Sequence, residues 1–279
     1  MGVSVFGHRG ACGYLPENTM PSFELAFELG SEAIEFDVVL TKDRVPVILH
    51  DLDLTHTTNV LDFPELATNV NELTYGQLKM LRTKERYPGG RVESAKHNGR
   101  YPIPTLSEVL ANPNFDGKHL IIELKYGKPQ LELGLDVVGA VRNELQRCHW
   151  RERGIKVTIE CFEYGILRDA KKRISGEIDY VFLSAPDMLP EGRVLLEDDL
   201  LDEIAEDFDG LSVAIPMLFE GELVARAKAR GLIMFAYTAR IETAQGDVES
   251  WFKKLATSGV DGLFADQPDV LIKTVASLS

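Results

Sequence analysis

Two carboxylates at the end of a predicted strand are the first sign of chemistry in this sequence. Glu35 and Asp37 are separated by one residue, and side chains two positions apart on a strand share a face. Two like charges this close repel each other unless a cation offsets them. A hard divalent cation, Mg²⁺ or Ca²⁺, would do so, with Glu123 from a neighbouring strand as a third oxygen ligand. Solvated carboxylates at an exposed strand end are the alternative.

Two histidines occupy similar positions. His8 ends the first predicted strand, and His50 follows the return strand of a hairpin. Since histidine titrates near neutral pH, one ring of such a pair can accept a proton while the other donates one. We therefore predict acid-base catalysis at His8 and His50, against the alternative that either is structural. The other histidines are interpreted as surface or packing residues: His56, His97, His119 and His149.

Two cationic side chains also come at the ends of predicted strands: Arg9 directly follows His8, and Lys125 lies two residues after Glu123. Their N–H groups suit a phosphoryl group. They can also pair with nearby acids, Arg9 with Glu17 and Lys125 with Glu35 or Glu123. Both functions can coexist, so the pairing does not exclude phosphate binding.

The elements that must position these residues alternate along the whole chain. Short apolar runs predict strands, and amphipathic stretches predict helices. The predicted strands are 3–7, 33–38, 45–49, 119–124, 155–160, 179–183, 210–214, 232–237 and 260–264. The predicted helices are 20–30, 105–111, 130–148, 164–174, 197–206, 219–230, 247–257 and 267–277.

Apart from the hairpin return at 45–49, eight strands remain, each followed by a helix. This order predicts parallel strands with helical crossovers, hence an α/β fold. At 279 residues it favours a single domain over 1–279, a closed (β/α)8 TIM barrel. In such barrels the chemistry lies at the carboxyl ends of the strands, where the residues above fall.

Residues 51–105, hereafter the insertion, interrupt this alternation after the second strand and its hairpin, and 74–82 is the single helix candidate there. Long segments of this kind are usually lids or binding elements. Between residues 79 and 100 the insertion has seven basic residues against two acidic ones, a local charge of +5. We predict that it caps the site and draws in an anionic substrate. A solvated surface loop is the alternative.

Composition excludes several classes of protein. The net charge of -14 argues against a nucleic-acid-binding face. No apolar run approaches the ~18 residues of a membrane span. Three widely spaced cysteines indicate neither a disulfide framework nor a zinc site. No secretory signal is visible in the chain as given, so a cytoplasmic location is expected.

Several motifs, in this order and spacing, resemble one known family. They are "GHRG", "PENT", "EFDV", "VILHD", "IIELK" and "SGVDGLFADQPD". Together they are similar to the glycerophosphodiester phosphodiesterases, over about residues 5–275. The resemblance implies a TIM barrel, one divalent metal ion (Mg²⁺ or Ca²⁺), and hydrolysis of glycerophosphodiesters to an alcohol and sn-glycerol 3-phosphate.

The resemblance also implies roles for particular residues. His8 and His50 match the catalytic histidines, and Glu35, Asp37 and Glu123 match the metal ligands. Arg9 and Lys125 match phosphate contacts, and Glu17 matches a residue that supports Arg9. The implied partner is a small-molecule glycerophosphodiester, with no nucleic acid and no membrane span. The oligomeric state is left open.

Several positions depart from the family pattern, among them Glu160, Tyr237, Arg240, which stands where an amide is common, and the segment "ADQPD". In "TIECF", Glu160 stands where members often carry glutamine or serine, and it would contact the metal or a polyol. In "FAYTAR", Tyr237 replaces a frequent tryptophan as an aromatic wall of the substrate site. Other functions therefore remain: a phosphodiesterase for a sugar phosphodiester or a lysolipid head group, or a non-catalytic barrel that binds phosphate and metal.

Overall fold

The predicted strands pair side by side into a closed barrel in the computed structural model, which describes residues 2–189, 193 and 195–278. The strands are β1 (Ser4–Gly7), β2 (Ala33–Leu40), β3 (Pro46–Ile48), β4 (His119–Leu124), β5 (Lys156–Cys161), β6 (Ile178–Ser184), β7 (Gly210–Ala214), β8 (Ile233–Ala239) and β9 (Gly262–Ala265). Eight of them are parallel and run in the order β1, β2, β4, β5, β6, β7, β8, β9, and β1 pairs with both β9 and β2 to close the ring. β3 is the hairpin return and is antiparallel to β2. The predicted TIM barrel is thereby confirmed.

Helices surround the barrel. Within the described residues they are α1 (Met20–Glu28), α2 (Tyr75–Leu78), α3 (Val92–Ala95), α4 (Leu106–Ala111), α5 (Gly127–Glu132), α6 (Val137–Cys148), α7 (Tyr164–Arg173), α8 (Asp198–Asp207), α9 (Leu223–Lys228), α10 (Val248–Ala256) and α11 (Pro268–Ala276). None of these has the length and apolar composition needed to cross a bilayer.

The alternation of side chains along β2 explains how one strand serves both the core and the site. Ile34, Phe36 and Val38 belong to the large core between strands and helices. Ala33, on the opposite face, joins a smaller apolar cluster inside the barrel, which is built around the rings of Phe6, Phe235 and Phe264. The positions that share a face with Ala33 are Glu35 and Asp37. The barrel interior is therefore apolar near the amino ends of the strands and acidic nearer their carboxyl ends.

Close packing inside the barrel requires a glycine at one position. A Cβ atom on Gly262 of β9 would lie 2.3 Å from the ring of Phe6 on the adjacent β1. That distance is too short for any side chain, and the two strands pair directly. Gly262 thus permits the contact that closes the barrel.

Two predicted helix starts are confirmed by their caps. Thr19 caps α1, with its hydroxyl accepting a hydrogen bond from the Ser22 N–H, and proline occupies the first turn. Thr105 and Glu108 form a capping box at the start of α4. Each cap satisfies backbone N–H groups that the helix itself leaves unpaired.

One predicted helix is divided in two in the structure. The stretch 130–148 is not one helix: α5 ends at Glu132, and Gly134 adopts a positive φ of 75° before α6 begins. Asp136 caps α6 by accepting from the Gly139 N–H. A helical interior cannot accommodate the left-handed conformation of Gly134, which is why the helix is divided.

The insertion also departs from its predicted content. The helix predicted at 74–82 is reduced to α2, and α3 was not predicted. The insertion packs through a small core of its own with the β2–β3 hairpin. This core comprises Val39, Val47, Leu49, Leu54, Val60, Val70, Leu73, Leu78, Leu81 and Ile103. Its shape is therefore set by burial of scattered apolar residues rather than by helical periodicity, and local patterns could not reveal it.

No disulfide joins the cysteines of the chain, all three of which lie within the described residues. Cys12, Cys148 and Cys161 are free thiols.

Candidate active site

Strand register brings three acidic residues of the barrel to one level. Asp37 of β2 lies opposite Glu123 of β4, and Glu123 lies opposite Glu160 of β5. Glu35 shares the inner face with Asp37 two positions earlier. Parallel strands that pair in register at their carboxyl ends place these side chains side by side.

Glu35, Asp37 and Glu123 form a carboxylate cluster. Their ligand atoms all lie within 4.8 Å of one another, and all three side chains are buried. Among the described residues, neither Glu35 Oε1 nor Asp37 Oδ1 receives a hydrogen bond. Burial and the neighbouring carboxylates raise the pKa of Glu35 well above its usual range. The cluster thus fits a divalent cation, which would supply the missing partner for these oxygens.

The loop after β1 holds the carboxylate cluster in place. Arg9 has a left-handed backbone, with a φ of 51°, and its N–H donates to Glu35 Oε2 at 2.9 Å. Asn18 Nδ2 donates to Asp37 Oδ2 at 2.8 Å. Burial acts to raise the pKa of Asp37, but His50, Arg9 and Lys125 outweigh it and hold that pKa below its usual range.

His8 lies at the end of β1 and pairs with a residue from the far end of the chain. Its Nδ1 is 2.7 Å from Asp266 Oδ1, which directly follows β9. Since a carboxylate only accepts, Nδ1 carries the proton and Nε2 is the basic nitrogen. Burial lowers the pKa of His8 to about 4, and Arg9 adds to this effect while Asp266 opposes it.

His50 has the same arrangement with a different acid. Its Nδ1 lies 2.5 Å from Asp51 Oδ1, and its Nε2 lies 3.0 Å from the Lys125 ammonium. Burial, followed by the charge of Arg9, lowers the pKa of His50. Each ring thus has a carboxylate on Nδ1, and burial favours its neutral form.

The predicted cationic residues are paired with acids, as one of their two interpretations required. Arg9 Nη1 donates to Glu17 at 2.9 Å, and Arg9 Nε lies 3.3 Å from Asp37 Oδ2. The Lys125 ammonium lies 2.9 Å from Glu123 Oε1. Burial acts to lower the pKa of Lys125, but Glu123 and Asp37 raise it above its usual range. Both cations remain charged beside the carboxylate cluster.

A cavity of about 300 Å³ opens over these groups. It is lined by His8, Arg9, Glu35, His50, Glu123, Lys125, Glu160, Phe162, Leu183, Tyr237, Thr238, Arg240 and Phe264. The structure therefore brings all the predicted site residues except Asp37 and Glu17 to its lining, and those two bind residues that line it. A larger open cleft of about 750 Å³ lies beside α4 and α6, and neither His8 nor His50 lines it.

One side of the cavity is aromatic and carries an unpartnered acid. The rings of Phe162 and Tyr237 meet edge to face with centroids 6.0 Å apart, and the Tyr237 hydroxyl donates to the Ser184 carbonyl at 2.6 Å. Glu160 is buried, and within the described part of the chain its Oε1 has no hydrogen-bond partner. Burial, then Glu123 and Asp37, raises the pKa of Glu160 well above its usual range.

Comparison with known proteins identifies a family for this chain. A model of the glycerophosphoryl diester phosphodiesterase family matches residues 8–270. The chain belongs to this family. It is 29% identical to a glycerophosphodiester phosphodiesterase of Caldanaerobacter subterraneus, over 99% of this chain and 98% of the relative. A glycerophosphodiester phosphodiesterase of Bacillus altitudinis is 28% identical over 97% of each chain.

Solved structures of the glycerophosphodiester phosphodiesterase type share the fold. An Oleispira antarctica phosphodiesterase in complex with the product sn-glycerol-3-phosphate superposes with a TM-score of 0.75 and 25% identity, covering 99% of this chain and 97% of that one. A Silicibacter pomeroyi protein, provisionally named as a glycerophosphoryl diester phosphodiesterase, gives a TM-score of 0.80 and 26% identity, covering 99% and 94% of the two chains.

Several residues around the histidines of this glycerophosphodiester phosphodiesterase were not predicted from the sequence as site residues. Arg86 and Arg91 come from the insertion, and Arg240 follows β8. Arg240 Nε donates to Asp266 Oδ2 at 2.8 Å. Asn18, which precedes the cap residue of α1, donates from its side chain to Asp37. The sequence signals available were weak, since each of these residues binds a partner that is distant in sequence or already assigned.

A second group of metal-type donors lies beside the first histidine. His8, Cys12 and Asp266 have ligand atoms within 4.8 Å of one another. Here, however, both oxygens of Asp266 are already bound, by His8 and by the guanidinium groups of Arg91 and Arg240. We therefore interpret this group as support for His8 rather than as a metal centre.

Proposed function

We propose that the protein hydrolyses glycerophosphodiesters to an alcohol and sn-glycerol 3-phosphate, using a divalent metal and a histidine pair. One observation carries this proposal: His8 and His50 line the same cavity as the carboxylate cluster, and each has a carboxylate on Nδ1. Family membership supports the reaction class, and the product complex of the Oleispira antarctica relative supports the choice of product.

Glu35, Asp37 and Glu123 would hold the metal, Mg²⁺ or Ca²⁺. When bound, such an ion neutralises charge that develops on phosphoryl oxygens. The unpartnered buried oxygens of Glu35 and Asp37 support this assignment. Lys125 and Arg9 add two cations beside the cluster, where they would bind the remaining phosphoryl charge. Glu17 keeps the Arg9 side chain in place.

The histidines would move the protons. Because Nδ1 of each ring is held by an acid, Nε2 is the atom that accepts or returns a proton. One ring, neutral, takes the proton of the attacking hydroxyl at Nε2, and the other, protonated from solvent at Nε2 before the step, gives that proton to the departing alcohol. Asp266 and Asp51 orient the rings and stabilise each imidazolium as it forms.

Glu160 and Tyr237 would bind the glycerol part of the substrate. The carboxyl group of Glu160 can donate to or accept from a polyol hydroxyl, and the Phe162 and Tyr237 rings give its carbon skeleton an apolar wall. The unpartnered Glu160 Oε1 supports this role, because a buried polar atom without a partner is unfavourable until a ligand supplies one.

The deciding experiment is release of glycerol 3-phosphate from glycerophosphodiesters with choline, ethanolamine, glycerol or inositol head groups. EDTA-treated protein is assayed with and without Mg²⁺ or Ca²⁺, and its melting temperature is recorded under the same conditions. We expect metal-dependent release and a higher melting temperature with metal, since a ligand at 100 times its Kd stabilises by about 2.7 kcal/mol.

Two variants make the experiment specific. Asp37→Asn should lose both the release and the thermal shift, whereas Glu220→Gln, at an exposed acid between β7 and α9, should keep both. A thermal shift without product from any head group would instead favour a non-catalytic binding barrel. Product from sugar phosphodiesters alone would favour that substrate class.

A lysolipid head group is the second candidate, and a surface feature favours it. Large apolar side chains are exposed in several segments that follow strand ends: Tyr87, Leu131, Leu133, Met188 and Ile241. Exposed apolar groups of this kind could contact an acyl chain. The comparison of lysophosphatidylcholine with glycerophosphocholine tests it: a higher kcat/KM for the acylated substrate would support it, and no turnover of that substrate would exclude it.

A further inference from the structure

The insertion meets the barrel through two arginines. Arg86 and Arg91 lie on either side of a turn, in which Gly90 N and Arg91 N both donate to the Tyr87 carbonyl. Glu85 is buried at the start of this turn and accepts from the Tyr87 N–H and the Ser94 hydroxyl. The turn is thus fixed to α3, and both arginine side chains extend from it toward the barrel.

Arg91 reaches the acid that holds His8. Its Nη2 binds Asp266 Oδ2, and its Nε donates to Glu242 Oε1 at 2.6 Å. Its Nη1 donates to the Cys12 carbonyl at 3.0 Å. The side chain of Arg91 is only 5% exposed. Asp266 is itself fully buried, and a buried carboxylate needs cationic partners to remain charged.

Arg86 makes the corresponding contact on the other side of the cavity. Its Nη1 lies 2.6 Å from Asp51 Oδ2, while Oδ1 of the same acid binds His50 Nδ1. Its Nε and Nη2 form a bidentate pair with Glu17, at 2.9 and 2.7 Å. Arg9 binds that same Glu17. The planar fork of arginine therefore joins the support of His50 to the support of Arg9.

We propose that Arg86 and Arg91 are positioning residues for the two histidines, each fixing the carboxylate that orients one ring. This inference rests on the proposed function and goes beyond it, because it makes the insertion part of the catalytic apparatus rather than only a cover. Neither arginine is free to attract substrate, since each is bound by two acids of the chain: Arg86 by Glu17 and Asp51, and Arg91 by Asp266 and Glu242. The two sides of the site are linked through a single short turn, 85–91.

The alternative is that the two arginines only anchor the insertion, and Arg91 offers a matched control for it. Glu242 is the second acid bound by Arg91. Its carboxylate accepts hydrogen bonds from the side chains of Arg91 and Gln267, and within the described residues it binds neither His8 nor His50. Removing its charge weakens the anchor and leaves the contact between Arg91 and Asp266. Arg100, an exposed base of the same insertion, is the control for loss of charge alone.

The experiment measures kcat, KM and melting temperature for Arg86→Gln, Arg91→Gln, Glu242→Gln and Arg100→Gln on glycerophosphocholine. We expect the first two to lower kcat by about tenfold or more with KM within about threefold, because misplaced orienting groups act on the chemical step. The two control variants should keep wild-type kcat. Arg86→Lys and Arg91→Lys retain the charge but not the planar fork, so their kcat should lie between those of wild type and the glutamine variants. They also test the inference if the glutamine variants do not fold.

His8→Ala and His50→Ala separate this inference from the proposed function. If both histidine variants are inactive but the arginine variants turn over normally, the inference is wrong and the proposed function stands. Equal losses in Arg91→Gln and Glu242→Gln would also overturn it, because they would indicate anchoring alone. Active histidine variants would overturn the proposed function and this inference together.

Discussion

At the scale of single residues, the site depends on which nitrogen of each histidine is held by an acid. His8 and His50 both bind a carboxylate through Nδ1, at 2.7 and 2.5 Å. Burial lowers the pKa of both rings. Burial therefore favours the neutral form of each ring, in which Nε2 is a base that can begin a proton transfer.

The first prediction concerns these two rings. His8→Ala and His50→Ala should each reduce kcat by about 10²–10⁴-fold, the usual contribution of a positioned acid or base. Steady-state hydrolysis of glycerophosphocholine is the measurement, with circular dichroism to show that the variants fold. Wild-type turnover in either variant would refute its catalytic role.

The second prediction concerns Glu160, the acid that departs from the family pattern. If Glu160 binds a substrate hydroxyl, Glu160→Leu should raise KM for glycerophosphodiesters about tenfold, the effect of one hydrogen bond to a buried polar group. Glu160→Gln keeps a hydrogen-bonding group of the same size and should have a smaller effect. Bis(p-nitrophenyl) phosphate lacks the hydroxyls, so its KM should be unchanged. An equal rise for both substrates would contradict this role.

At the scale of elements, the carboxyl ends of β1, β2, β4 and β5 carry most of the site, and the insertion covers it from one side. The basic residues at 79–100 differ in exposure, and two of them, Arg82 and Lys84, are half-buried. Arg86 and Arg91 are enclosed by acids, whereas Lys79, Lys96 and Arg100 are exposed. Only the exposed group can act on substrate at a distance.

The third prediction tests attraction of substrate by that exposed group. The triple substitution Lys79→Ser, Lys96→Ser, Arg100→Ser should raise KM at low ionic strength and leave kcat unchanged. The difference should fade as salt increases, because exposed charges are screened within about 10 Å at 0.1 M salt. KM measured across a salt series is the test. A KM equal to wild type at the lowest salt would exclude electrostatic attraction by the insertion.

At the scale of the whole molecule, closure of the barrel assembles the two ends of the chain. β1 pairs with β9, so His8 meets Asp266 across 258 residues of sequence. The same closed ring partly buries an ionisable group away from the site. His119, at the start of β4, lies beside the Phe6 ring and within 2.8 Å of the Thr158 hydroxyl. Burial, followed by the charge of Lys156, lowers the pKa of His119 to about 3.

The fourth prediction follows from His119. Its pKa in the folded chain is below the unfolded value of about 6.5, so the unfolded chain binds a proton first as pH falls. His119 therefore contributes stability above pH 6.5 that is lost progressively toward about pH 3, by at most about 1.4 kcal/mol per pH unit. The free energy of unfolding, measured from pH 7 to pH 4, should fall less steeply in His119→Gln than in wild type. Parallel curves would contradict the prediction.

Much of this protein could be predicted from its sequence, because the relevant signals are local. Apolar runs alternating with amphipathic stretches predicted the barrel, which the structure confirms. Glu35 and Asp37 share a face because strand periodicity requires it. The caps at Thr19 and Thr105 depend on residues within three positions of each other. The roles assigned to the histidines and the carboxylates remain predictions until the variants above are measured.

Only the tertiary structure decided which side chains hold the site residues in place. Asp266 for His8, Arg91 for Asp266, and Arg86 for Asp51 each join residues that are far apart in sequence or lie in different elements. No periodicity links such pairs; they meet because the barrel closes and because the insertion folds on scattered apolar residues of its own. The sequence by itself thus determined the fold and the residues that end its strands, while three-dimensional packing determined how those residues are held.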